Sequence, residues 1–201
     1  GNGTNSITVD YDISTVSGNI TVYGVSTCGN GLPSANFVVT MNAAPTLSNV
    51  PVNAEVCSGE PFDFTPATTA TTITWNRAVV AGISNAIGNG SNAISETLLN
   101  TTNAAIDVDY IFTLTSASGC INTETITVKV HPLPILDFTS TSPPSEVCSG
   151  TNFTYTPTSI PGGTILWERV PLPGQILEGT SSGNAGINEP LTNLTDTTVS
   201  V

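Results

Sequence analysis

Positive charge is the scarcest commodity in this chain. Arg77, Lys129 and Arg169 stand against 15 acidic residues, leaving a net charge of −12. Nothing in that balance neutralises a row of phosphates, so nucleic acid is excluded as a partner, and anionic membrane is disfavoured for the same reason. Long apolar runs are also lacking: none approaches the ~20 residues that span a bilayer. Histidine occurs once, at His131, too little for repeated nucleophile–base pairs or a His-rich metal site. Charged residues make up only 9% of the chain while mean hydropathy is positive, the reverse of a disordered composition. No initiator Met and no signal peptide stand at the start.

What the chain does contain is itself, repeated. Glu55-Val56-Cys57-Ser58-Gly59 returns as Glu146-Val147-Cys148-Ser149-Gly150, 91 residues later. Phe62-x-Phe64-x-Pro66 returns as Phe153-x-Tyr155-x-Pro157, and Trp75-Asn76-Arg77 as Trp167-Glu168-Arg169. Glu96-x-Leu98-x-Asn100-x-Thr102 matches Glu189-x-Leu191-x-Asn193-x-Thr195. The opening Gly1-Asn2-Gly3-Thr4-Asn5-Ser6-Ile7 matches Gly88-Asn89-Gly90-Ser91-Asn92-Ala93-Ile94. A fixed period marks an array of similar units. Three follow: residues 1–46 as the C-terminal part of one repeat, 47–134 as a complete repeat, and 135–201 as the N-terminal part of a third. The sequence therefore reads as a window on a longer array, and a partial unit is expected to leave strand edges and a core face open.

Alternation sets the fold class. Ile20–Val25, Phe37–Met41, Ile106–Leu114 and Ile126–Val130 place every second residue on one face, the period of a strand. Ile73-Thr-Trp75 and Ile165-Leu-Trp167 read as central strands, and Gly/Asn/Ser clusters separate the segments as turns. Only the neighbourhood of Ala78–Gly82 has a briefly helical character. The expectation is all-β: tandem immunoglobulin-like sandwiches of about seven strands each. Asn42–Pro45 and His131–Pro134 are short, proline-stiffened joints.

The four cysteines fall into two kinds. Cys57 and Cys148 open a unit, whereas Cys28 and Cys120 precede its last strand. The economical expectation is a Cys57–Cys120 disulfide within the complete unit, stabilising it by ~4 kcal/mol through the unfolded chain, with the partners of Cys28 and Cys148 outside the sequence. Zinc is the poorer alternative, because no C-x-x-C occurs. A disulfide implies an oxidising, extracytoplasmic setting.

The pattern Val-Cys-Ser-Gly-x-x-Phe-x-[Phe/Tyr]-x-Pro, followed by Ile-x-Trp, Gly-Asn-Gly-Ser-Asn-Ala-Ile, Leu-x-Asn-x-Thr and Ser-Gly-Cys, resembles the PKD-like (polycystic-kidney-disease-like) repeats of Bacteroidota surface adhesins. Units two and three carry the resemblance clearly, and the first more loosely. It implies immunoglobulin-like repeats in a large adhesin exported by type IX secretion, a group that includes gliding-motility adhesins of the SprB type.

Candidate sites are weighed against that background. Trp75 and Trp167 are expected in the sandwich core, although exposed they would make sugar-stacking platforms. Arg77 and Arg169 each follow a tryptophan by two residues on the same strand face, and recurrence in a cation-poor chain suggests ion pairs Arg77–Glu96 and Arg169–Glu189 near the sandwich edge, the alternative being inheritance from a common ancestor without a partner. Glu55 with Glu96, or Glu146 with Glu189, has the composition of a glycosidase carboxylate pair, but an active site copied into every unit is a poor expectation. Ser58 and Ser149 lack a histidine each to activate them. Asp107 with Asp109, and Asp10 with Asp12, alternate along strands and read as solvated faces; with Glu55 and Asp137 at the joints they are also the candidate calcium ligands. No other cofactor is expected. Sequons at Asn2, Asn19, Asn89, Asn100, Asn152 and Asn193 are common in such a Thr/Asn-rich chain, and Asp196-Thr197-Thr198 resembles a Bacteroidota O-glycosylation signal.

The function expected is a non-enzymatic, extracellular cell-surface segment. Its partners would be neighbouring repeats of the same chain, with surface polysaccharides or secretion and motility machinery beyond them. The alternatives are a glycan-binding accessory module of a secreted polysaccharide-degrading enzyme, which would show a row of exposed aromatics, and a passive cell-wall stalk.

Overall fold

A computed structural model describes residues 16–137, 143–144, 146–177, 182–184 and 186–201. The matched segment Gly1–Ile7, the Asp10/Asp12 pair and the Asn2 sequon lie outside the described residues. All regular structure among the described residues is β; the Ala78–Gly82 stretch is irregular and ends in a turn, with Gly82 at φ 87°, rather than a helix.

Strand pairing stays within three segments. The first holds β1 (Gly18–Ile20), β2 (Val25–Ser26), β3 (Gly29–Asn30) and β4 (Phe37–Val39), paired β1–β4 and β2–β3. The second holds β5 (Ala54–Cys57), β6 (Pro61–Phe64), β7 (Thr72–Arg77), β8 (Gly88–Ser91), β9 (Ile94–Thr97), β10 (Ile106–Thr115) and β11 (Ile121–His131). The third holds β12 (Ile135–Asp137), β13 (Thr151–Tyr155), β14 (Thr158–Ile160), β15 (Leu166–Glu168), β16 (Ile176–Leu177), β17 (Ser182–Asn184) and β18 (Ile187–Asn193).

The middle segment is a two-layer sandwich. One sheet runs β5-β11-β10-β7-β8 and the other is the β6–β9 pair; a bridge from Leu47 to Thr68 opens the unit. β5 runs parallel to β11, while every other pairing is antiparallel, which is the immunoglobulin-like arrangement. Alternation creates its interior. Along β10 the residues Val108, Tyr110, Phe112 and Leu114 turn inward, and Ile126, Val128 and Val130 of β11 face the same space. Phe62 and Phe64 of β6 close the core from the other layer, with ring centroids 5.7 Å from Tyr110 and 5.8 Å from Phe112. Each such aromatic pair contributes roughly 0.5–1.5 kcal/mol beyond its area burial.

The third segment repeats this framework register for register. Phe153 pairs with Glu189 as Phe62 pairs with Glu96, and Trp167 with Gly183 as Trp75 with Gly90. The Leu136–Ser159 pairing reproduces Leu47–Thr68. In the first segment the β1–β4 ladder sets Gly18 opposite Val39 and Ile20 opposite Phe37, the counterparts of Val108–Val128 and Tyr110–Ile126. There the apolar side chains are only partly covered or open, with Phe37 70% exposed.

The expected Cys57–Cys120 disulfide is corrected by this register. All four cysteines are free. Cys57 lies opposite His131 at the far end of β11, whereas Cys120 immediately precedes that strand's first residue. β11 is 11 residues long, a rise of roughly 35 Å, and a disulfide tolerates no more than about 7 Å between Cα atoms.

Candidate functional site

The most organised constellation lies between the two layers of the middle unit. β7 presents Ile73, Trp75 and Arg77 to the interior, so Arg77 enters the protein rather than its edge and is 1% exposed. Its guanidinium crosses to β9 and grips Glu96 with two hydrogen bonds: Nε donates to Oε2 at 2.8 Å and Nη2 to Oε1 at 2.6 Å. Two further N–H groups reach the carbonyls of Ala86 (2.6 Å) and Ala78 (3.1 Å). Tyr110 Oη donates to the same carboxylate at 2.6 Å. Burial works against ionisation of Glu96, but the hydrogen bonds from Arg77 and Tyr110 outweigh it and hold the carboxyl below its usual range. The bond to Glu96 raises the Arg77 guanidinium further above its already high value, and burial together with Tyr110's own bond to Glu96 pushes its phenol up. In the third unit Arg169 meets Glu189 in the same two-pronged way, at 3.2 and 2.7 Å, with Glu189 buried.

Trp75 is half-buried over this clamp. Its ring stands edge-on to Tyr110 at 5.6 Å, and its Nε1 donates to the Ala93 carbonyl at 3.1 Å. The indole lies flat on Gly90, where a Cβ would stand 2.8 Å from the ring. Trp167 lies equally close on Gly183. Neither tryptophan is a free platform, and neither is wholly interior.

A second recurring device escaped the sequence reading. Asn100 Nδ2 donates to the carbonyls of Val130 (2.9 Å) and Ala104 (2.7 Å), while its Oδ1 accepts from Thr102. Its backbone N–H donates to Ser58 Oγ at 2.9 Å. Asn193, Thr195 and Ser149 repeat the pattern in the third unit. Repetition of Leu-x-Asn-x-Thr was the available signal; its pairing with the Ser after each strand cysteine is visible only in three dimensions. Asn100 is thereby occupied, so its sequon is structural. Tyr110, the second partner of Glu96, was likewise missed because its counterpart in the first segment is Ile20, so no repetition marks it.

Glu55 and Glu96, weighed as a carboxylate pair, lie in different layers of the middle unit. Glu55 is solvent-facing on β5, 3.1 Å from His131 Nε2, whereas Glu96 is inside the other layer. Ser58 is spent on Asn100. Asp107 accepts from Lys129 at 2.7 Å and Asp109 from Thr127 at 2.6 Å, both on the exposed face of the sheet. The hydrogen bond to Asp107 raises the Lys129 ammonium above its ordinary value. Every cation of the chain thus has an acidic partner. Among the described residues no group of three His, Cys, Asp or Glu residues converges on a metal position, and no helix is long and apolar enough to cross a membrane. Among the described residues two shallow concavities occur, one over Leu166, Trp167, Ser182 and Gly183 and another beside Asn53, Glu55, Asp107 and Lys129.

No family model matches this sequence, and no curated protein does. Among solved structures the chain is similar to the first two immunoglobulin domains of DIP-gamma, with 15% identity over 77% of this chain and 84% of that one, at a TM-score of 0.35.

Proposed function

We propose that this chain is a non-enzymatic, extracellular repeat segment of a large bacterial cell-surface adhesin, exported by type IX secretion and working in gliding motility or attachment. The observation that supports it most is the duplicated interior. The Arg–Glu clamp, the Trp-on-Gly contact and the Asn–Ser tie recur at equivalent positions in two units, and each is directed inward. Such groups maintain a body; they do not address a substrate.

A net charge of −12 with every cation paired leaves a negative surface, which keeps neighbouring rods apart in the crowded space outside a cell. Three-residue joints such as Pro132-Leu133-Pro134 space the units closely. Solid-phase binding of residues 47–134 to polysaccharides and abiotic surfaces, with calcium and with chelator, tests the role of a unit. A shaft unit gives no saturable binding while remaining folded. Saturable, competable binding would instead make each repeat a ligand-bearing module.

A further inference from the structure

The cysteines that cannot meet inside a unit are placed to meet between units. We propose that the strand cysteine of one unit (Cys57 at the end of β5, or Cys148 as its repeat counterpart) forms a disulfide with the turn cysteine (Cys28, Cys120) of the unit that follows it, stapling every joint of the array. The proposal rests on the tandem-array reading above and adds to it a covalent site and its partner.

Two observations carry it. The first is polarity. Cys57 is exposed at the end of the unit where β11 gives way to the next joint, and Cys120 is half-buried at the opposite end, where the preceding joint arrives. The second is local geometry at the joint before the middle unit, where the last strand of one unit meets the turn cysteine of the next. Phe37, Val39, Met41 and Asn42 are the counterparts of Ile126, Val128, Val130 and His131, as the two ladders place them. In the middle unit His131 has Cys57 as its register partner, and its carbonyl accepts the N–H of the adjoining Ser58 at 2.7 Å. At the joint before it, the Asn42 carbonyl lies 3.7 Å from the sulfur of Cys120. In an array, a complete preceding unit sets its own strand cysteine beside Asn42, so Cys120 already stands at that position. Neighbouring strands lie about 4.8 Å apart, so a strand cysteine paired with Asn42 comes within reach of the Cys120 sulfur that contacts the same residue.

The same rule explains why all four thiols are free here. Cys28 and Cys120 each require a strand cysteine from the unit before, and Cys57 and Cys148 a turn cysteine from the unit after. No pair within residues 1–201 satisfies that order.

The bond forms by exchange with an oxidised disulfide donor, either a thiol oxidoreductase or a small-molecule disulfide. One cysteine thiolate attacks the donor's S–S bond and expels one of its sulfurs as thiolate. The second cysteine thiolate then attacks the mixed disulfide and displaces the other. Two cysteine thiols lose two protons and two electrons, and the donor leaves as two thiols.

Peptide mapping decides it. The protein is taken from intact cells under a thiol-blocking alkylating agent and digested with trypsin without reduction. Cleavage after Arg77, Lys129 and Arg169 puts Cys57, Cys120 and Cys148 on three separate peptides. The expected result is the 78–129 peptide linked to a strand-cysteine peptide of the preceding unit, with no link to the Cys57 peptide. A Cys57–Cys120 link, or an alkylated Cys120, overturns the proposal. In a Cys57→Ser variant Cys120 stays linked and one turn cysteine of the following unit becomes alkylated; release of Cys120, or no newly alkylated thiol, contradicts it. Repeat-sequence peptides from outside residues 1–201 report on the array itself in the same digest. If they are present and Cys120 is alkylated, the staple fails while the array stands.

Discussion

The middle and third units share a sequence pattern and a pairing register, yet only the middle one closes. In the middle unit Glu96 is held by Arg77 and Tyr110, and Trp75 finds the Ala93 carbonyl. In the third unit Arg169 and Glu189 meet in the same way, but among the described residues the indole nitrogen of Trp167 and the hydroxyl of Tyr155 are buried without partners. Among the described residues Val201 is the counterpart of Val108, and no strand equivalent to β10 or β11 pairs with the sheets of the third segment. The shared pattern draws the frame, and the two long strands β10 and β11 supply the core that gives it weight.

The largest break in that comparison should come from Glu96→Gln. It leaves a buried guanidinium half-paired, and removing one partner of a buried pair costs about 3–5 kcal/mol. Urea unfolding followed by Trp75 fluorescence in a Trp167→Phe background checks it, and Glu189→Gln, read through Trp167, should shift its transition less. Asn100→Ala comes next, because the carbonyl of Val130 loses its buried donor; the cost is about 1–3 kcal/mol by the same measurement. Gly90→Ala forces the indole off its strand and costs about 1–3 kcal/mol as overpacking. Trp75→Phe should relieve part of that cost in the double variant, which denaturation by circular dichroism will show.

Acid should separate the units by a smaller, graded amount. The Glu96 carboxyl is held below its usual range, so its contribution is fully present above the unfolded value near 4.3 and is lost as pH falls through the lower folded value. Stability of the middle unit should decline below about pH 4, and Glu96→Gln should flatten that part of the profile. The smallest effect belongs to the exposed Lys129–Asp107 pair. Lys129→Met should leave the urea midpoint nearly unchanged at neutral pH, with any difference vanishing in high salt.

Much of this was legible in the residues because alternation and repetition are local signals. Ile106–Leu114 and Ile126–Val130 announce two long strands, and two arginines recurring in a cation-poor chain announce partners. Arg77 was expected near an edge because charge suggests exposure; the strand parity that puts it beside Trp75 points inward, and parity wins when a carboxylate waits on the facing layer. The cysteine pairing failed for a different reason. Spacing within a repeat says which cysteines belong to one unit, but not which end each occupies. That follows from β5 running parallel to β11, a long-range pairing that no local pattern encodes. Asn100 was passed over as a sequon because its partners, Val130 and Ser58, are distant in sequence.

Hydrogen exchange across residues 1–201 tests most directly whether one self-sufficient unit carries the stability of this chain. Amides of β10, β11 and β7 should exchange last, together, and with the free energy of global unfolding of the middle unit, while those of β1–β4 and β12–β14 exchange far earlier. Uniform protection across all three segments, or slowest exchange in the first or third, would contradict the account.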